Sequence, residues 1–111
     1  MTLMTKDLEQ IFENHPFGSQ EKEGTNATVI ARFYNPCGTD EWLVTEAEKQ
    51  KDDNWLLFGY MRIFGFDWEC GYVLLSELEN IELPFGATIE RGISLTEKQV
   101  QDYINKGEES L

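Results

Sequence analysis

Apolar residues run almost unbroken from Trp55 to Phe64, interrupted only by Gly59 and Arg62. Apolar side chains at both parities fit either a strand buried on both faces or a buried helical segment. The composition selects the strand. Trp, Phe, Tyr and Ile suit a pleated surface, and Gly59 and Gly65 would each weaken a helix by about 1 kcal/mol relative to Ala. The segment therefore reads as a central strand, followed by a turn at Gly65-Phe66-Asp67. From Trp68 to Leu74 the pattern alternates, with Trp68, Cys70, Tyr72 and Leu74 on one face and Glu69, Gly71 and Val73 on the other. That is the pattern of a half-buried antiparallel partner. Ser76 reads as the cap of a short helical turn over residues 77–80, with acids at its positive end. Pro84 and Gly86 mark a loop, and residues 88–91 return as a short strand.

The flanks carry helical periodicity. Leu3, Met4, Leu8, Ile11 and Phe12 recur at helical spacing, which predicts an amphipathic helix over residues 3–14. Thr2 or Thr5 caps its start and Pro16 ends it. Residues 17–26 are polar, contain Gly18 and Gly24, and read as a flexible loop. Residues 27–34 alternate weakly as a strand, and Asn35-Pro36-Cys37-Gly38 forms a turn. Residues 41–46 make a second strand carrying Trp42 and Val44, and residues 47–54 make a charged hairpin connection. Ser94-Leu95-Thr96-Glu97 has the form of a capping box. Leu95, Val100, Tyr103 and Ile104 give a C-terminal helix over residues 95–106, stopped by Gly107. The expected fold is α+β: an antiparallel sheet of about five strands, with its core in residues 27–93 and amphipathic helices at the N- and C-termini, in a single domain over residues 1–111.

Charge changes the picture most. The chain has 21 acidic and 9 basic residues, a net charge of −12. Nucleic-acid binding needs cations to neutralise phosphates. The densest basic pair, Lys49 and Lys51, is followed at once by Asp52 and Asp53, so direct nucleic-acid binding is not expected. An acidic field instead draws in basic partners, although acidity also serves solubility. Apolar residues at 41% and aromatic residues at 13% argue against disorder. No apolar run approaches the roughly 18 residues of a membrane span. The first dozen residues lack a basic start and a small-residue cleavage site and carry Asp7 and Glu9, so the expected location is cytoplasmic.

Three blocks within the patterned region resemble a known family. They are LLFGY at Leu56 to Tyr60, GYVLLSEL at Gly71 to Leu78, and FGATIERGI at Phe85 to Ile93. In this order they are similar to domain-of-unknown-function family 2958, small proteins of bacterial plasmids, conjugative elements and phages. The resemblance covers roughly residues 27–93. It implies a mobile-element context and brings no catalytic residues with it. The family usually carries an acidic residue where this chain has Gly92.

Catalytic chemistry finds little support. His15 is the sole histidine and stands beside Pro16. Cys37 and Cys70 are too far apart for a metal motif, and two thiols with one imidazole are too few for a zinc site of about four ligands. No Walker loop, dinucleotide fingerprint or nucleophile elbow is present. No catalytic residue, metal or cofactor is assigned. Two constellations remain. Asp67 and Glu69 share one strand face and lie near Glu77, Glu79 and Glu82 in sequence. Such acids suit a basic partner, a solvated edge face, or a metal-dependent acid–base site. Arg32, Arg62 and Arg91 all fall in strands, where cross-strand carboxylates such as Glu69 or Glu90 would pair with them. An anionic ligand is the alternative.

The leading expectation is a non-catalytic acidic binding protein. It would inhibit or modulate a host nucleic-acid-handling defence protein by occupying its basic surface. Its contact residues would be Asp67, Trp68, Glu69, Glu77, Glu79 and Glu82. The alternatives are an accessory or structural module of plasmid conjugation or replication, and a small metal-dependent enzyme using the carboxylates. Phe64, Phe66 and Trp68 read as a partner hot spot, a dimer seam or core, which leaves the oligomeric state open.

Overall fold

Strands β1 (Ala31–Tyr34), β2 (Glu41–Lys49), β3 (Trp55–Arg62), β4 (Glu69–Leu74) and β5 (Glu90–Arg91) form one antiparallel sheet in the order β4-β3-β2-β1-β5. The structure is a computed structural model that describes residues 3–92 and 98–109. With helices α1 (Lys6–Glu13), α2 (Leu75–Glu79) and α3 (Val100–Glu109), the fold is α+β.

The main core lies on one face of the sheet. Leu8 and Phe12 of α1, Leu75 and Leu78 of α2, and Ile89 pack against Phe33, Trp42, Val44, Ala47, Trp55 and Leu57. A smaller cluster on the other face joins Ala27, Leu43 and Val100, with Tyr60, Trp68, Tyr103 and Ile104 around it. Burial on both faces thus belongs to β2, where every residue from Trp42 to Ala47 is buried. The apolar run of β3 instead alternates, with Trp55, Leu57 and Gly59 buried and Leu56, Phe58 and Tyr60 half-buried. The reason is position: β2 is the middle strand, and β3 lies one place nearer the edge. β3 is still internal and pairs antiparallel with β4.

β2 conceals its burial because two of its core positions are polar. Glu46 accepts hydrogen bonds from the backbone N–H groups of Gly18 (2.9 Å) and Gln20 (2.8 Å). Gln20 in turn donates to the carbonyls of Thr28 and Thr45 and accepts from the Thr28 N–H. Residues 17–26, expected to be a flexible loop, are therefore tied to the sheet by a satisfied polar network. A bulge at Thr45 breaks the β2–β3 register between Val44 and Glu46. Next to it, Gly59 lies so close to Leu43 that an added methyl would overlap the Leu43 carbonyl oxygen. The glycine of the LLFGY block is thus required by a close backbone approach.

Element boundaries shift for local reasons. α1 starts at Lys6 because Thr5 caps it, its hydroxyl accepting from the Leu8 N–H at 3.1 Å. β1 starts at Ala31, not at residue 27. Residues 27–29 pair instead with the approach to α3, through Val29 N–H to Lys98 and Val100 N–H to Ala27. β2 runs on to Lys49, so the hairpin shrinks to a tight connection closed by Gln50 and Asn54. α2 begins at Leu75, and Ser76 does not cap it. Glu77 accepts from the Leu74 N–H at 3.0 Å, and the Ser76 hydroxyl accepts from the Asn54 side chain at 2.7 Å. α3 begins at Val100, later than expected, and passes through Gly107 to Glu109. The expected capping box at 94–97 lies outside the described residues. β5 is two residues long, shorter than the expected 88–91.

Candidate functional site

The β3–β4 connection is built around Phe64 and Gly65, one residue earlier than the Gly65-Phe66-Asp67 turn expected from sequence. Phe66 N–H donates to the Ile63 carbonyl at 3.1 Å, and both central residues have positive φ, 57° at Phe64 and 75° at Gly65. Two consecutive left-handed residues are the signature of a type I′ hairpin turn, where Asn-Gly is the favoured pair. A bulky residue in the first position is an outlier. The turn is held from below by the β1–β2 loop. Asp40 accepts from the Phe64 N–H at 2.6 Å, and Thr39 lies against Gly65. Despite this anchoring, Phe64 and Phe66 are 77% and 73% exposed. Pro84-Phe85-Gly86-Ala87 repeats the geometry, with Phe85 at φ 62°, Gly86 at 74° and Ala87 N–H donating to Pro84. Phe85 is also fully exposed.

The sequence-derived contact residues fall into two separate groups. Asp67, Trp68 and Glu69 sit at the tip and the start of β4. Asp67 and Glu69 are exposed and meet no cation among the described residues. Trp68 is half-buried beneath Arg62, whose guanidinium lies 4.9 Å from the ring centroid. Glu77, Glu79 and Glu82 lie beyond the far end of β4, a separation of roughly 17 Å along a six-residue strand. Two of these three carboxylates serve the fold. Glu77 holds the start of α2, and Glu79 accepts from the Leu3 N–H at 2.7 Å. Only Glu82 is exposed without such a duty.

The arginines reveal a centre that sequence reasoning missed. Arg32 of β1 and Arg62 of β3 both pair with Glu41 of β2, which lies between them. The Glu41 side chain is only 12% exposed. Arg32 also covers the Tyr34 ring, and Gly92 leaves it room, since an added Cβ would stand 3.0 Å from its Nη1. The expected partners Glu69 and Glu90 are not used. Arg91 donates to the Thr5 hydroxyl at 3.2 Å. The available signals were two hairpin registers: the β1–β2 hairpin sets Tyr34 opposite Glu41, and the β2–β3 hairpin sets Arg62 opposite the same Glu41. On the same face, burial and then the neighbouring Cys70 thiol raise the Tyr60 hydroxyl above its ordinary pKa of 10.0.

No group of three or more His, Cys, Asp or Glu among the described residues is placed to hold a metal. Both cysteines are exposed and unpaired as thiols. His15 uses Nδ1 at the Ile11 carbonyl, at 2.9 Å. None of the helices among the described residues is long and apolar enough to cross a membrane. Exposed aromatic residues, open carboxylates and an uncovered strand edge thus meet at the β3–β4 hairpin, an arrangement suited to contact with another macromolecule.

Neither the curated proteins nor the solved structures contain a match to this chain. The family model described as "Protein of unknown function (DUF2958)" matches residues 3–110, nearly the whole chain and wider than the 27–93 segment that carries the motifs. The chain belongs to the DUF2958 family.

Proposed function

We propose that this protein is a non-catalytic binding module that docks a basic surface of a protein partner through its β3–β4 tip. The observation that carries the reading is Phe64. Its ring is left in solvent, so it adds no core burial, and its positive φ costs stability that Asn or Gly would avoid. Neither packing nor turn formation accounts for a phenylalanine there. Partner contact does: exposed aromatics are the usual anchors of an interface, and a neighbouring Phe66 enlarges the patch. Asp67 and Glu69 add negative charge beside it, and the net charge of −12 gives the long-range field. A nucleic-acid-handling host protein, whose phosphate-binding surface is basic, fits this chemistry and the mobile-element context of the family resemblance.

The test is capture with purified wild-type protein and a Phe64→Asn, Phe66→Ser double variant, each immobilised, from a host lysate at low and high salt. The reading expects a basic partner that is lost in the variant, weakened by salt and displaced by added DNA or RNA. Melting temperature separates loss of contact from loss of fold. A partner retained by the variant, insensitive to salt and not displaced by nucleic acid would defeat the proposal and favour an accessory module of conjugation or replication.

A further inference from the structure

Hydrogen-bond phase shows what the open edge of β4 offers. Gln50 N–H donates to the Asn54 carbonyl at 2.7 Å, so the hydrogen-bonded pairs further along this hairpin are Glu48 with Leu56 and Glu46 with Phe58. Leu56 and Phe58 therefore turn their backbone groups toward β2. Leu57, Gly59 and Met61 turn theirs toward β4, where their partners are Val73, Gly71 and Glu69. Cys70, Tyr72 and Leu74 are left with backbone groups pointing away from the sheet. Leu74 satisfies its N–H through Glu77. The N–H and C=O of Cys70 and Tyr72 have no backbone partner among the described residues.

Native sheets normally blunt such edges with short strands, Lys, Pro or bulges. The opposite edge follows that rule, since β5 has two residues. β4 has six residues, no Lys and no Pro, and its register with β3 is regular. One of its faces presents Tyr72, tilted against Phe58 at 4.9 Å and edge-on to Phe17 at 5.7 Å between ring centroids, yet 61% exposed. The other face presents Glu69 at the end nearest the aromatic tip. A strand laid along this edge would place alternate side chains over Tyr72 and beside Glu69.

We propose that the basic partner docks by adding an extended segment of alternating basic and apolar residues to β4 as a sixth strand. This rests on the proposed function and specifies its docking mode. Charge selects the occupant: a second copy of the chain would bring another net charge of −12 to the same edge, whereas a basic segment is attracted.

The probe is a synthetic eight-residue peptide alternating Lys and Val, added at low ionic strength to the isotopically labelled full chain. Amide hydrogen exchange should slow by about tenfold or more at Cys70 and Tyr72 on saturation, with β3 amides unchanged. Tyr72→Pro and Tyr72→Thr both lose the ring, but only the proline also removes the outward N–H, without touching the ladder to β3, so Tyr72→Pro should bind the peptide about tenfold or more weakly than Tyr72→Thr at an unchanged fold. Protection in the unsubstituted chain decides the matter if the proline variant does not fold. Failure to bind the peptide overturns the docking mode. So does binding that shifts only residues 64–69 and leaves Cys70 and Tyr72 unprotected, although the proposed function then survives if partner capture still depends on Phe64. Protection that grows with protein concentration in the absence of peptide would assign the edge to a second copy, against the proposal.

Discussion

Phe64 separates binding from stability at the scale of one residue. Replacing it with Asn relieves a left-handed phenylalanine and removes little buried surface, since the residue is 77% exposed. The folded protein should be unchanged or stabilised by up to about 1 kcal/mol in chemical denaturation, while partner affinity falls. A loss of more than about 1 kcal/mol would mean that the ring supports the fold. Gly59 makes the opposite case. A methyl there would collide with the Leu43 carbonyl, so Gly59→Ala should destabilise by about 1–3 kcal/mol or more. Tyr60 adds a pH signature. Because its hydroxyl pKa is raised in the native state, the unfolded chain releases that proton first as pH rises. Its contribution is fully present below pH 10 and is lost as pH climbs from there through the native value. Melting temperatures of Tyr60→Phe should lack that part of the alkaline decline.

The β2–β3–β4 meander is the element on which the rest depends. Leu57 of β3 is 1% exposed and packs in the main core, so Leu57→Ala should cost about 2–5 kcal/mol in denaturant unfolding. This meander was legible in outline because the apolar run and the following alternation report strand formation locally. Its middle strand was harder to read. Thr45 and Glu46 interrupt the apolar pattern of β2, and only the arrival of Gly18 and Gln20 shows that a buried carboxylate is satisfied there. Glu46→Ala would leave those N–H groups unmatched. It should loosen residues 17–26, seen as faster amide exchange at Gly18 and Gln20, with an overall loss of about 1–3 kcal/mol.

For the whole molecule, charge sets the rate of encounter with a basic partner. The Debye length shortens from about 10 Å at 0.1 M salt to about 3 Å at 1 M, so association through the acidic field should slow steeply over that range. Charge reversal at Asp67 and Glu69 should slow association more than reversal at Glu77 and Glu79, because only the first pair lies at the tip. Glu77 and Glu79 reversal should instead lower stability, since those carboxylates hold the start of α2 and the Leu3 N–H. Stopped-flow rates and melting curves on the two double variants distinguish these effects.

Periodicity and composition by themselves determined the α+β class, the pairing of β3 with β4, the amphipathic N-terminal helix and the acidic character of the chain. The three motif blocks determined the family. These properties are local, or sums over residues, and need no knowledge of which segments meet. Strand order is not local, and it decided that β2 is buried on both faces and that β4 has an open edge. The tertiary structure alone placed Glu41 between two arginines, divided the acidic residues between opposite ends of β4, and left Phe64 and Phe66 in solvent. A side chain's exposure and its ion-pair partner depend on what the rest of the chain brings against it, and no pattern within its own segment encodes that.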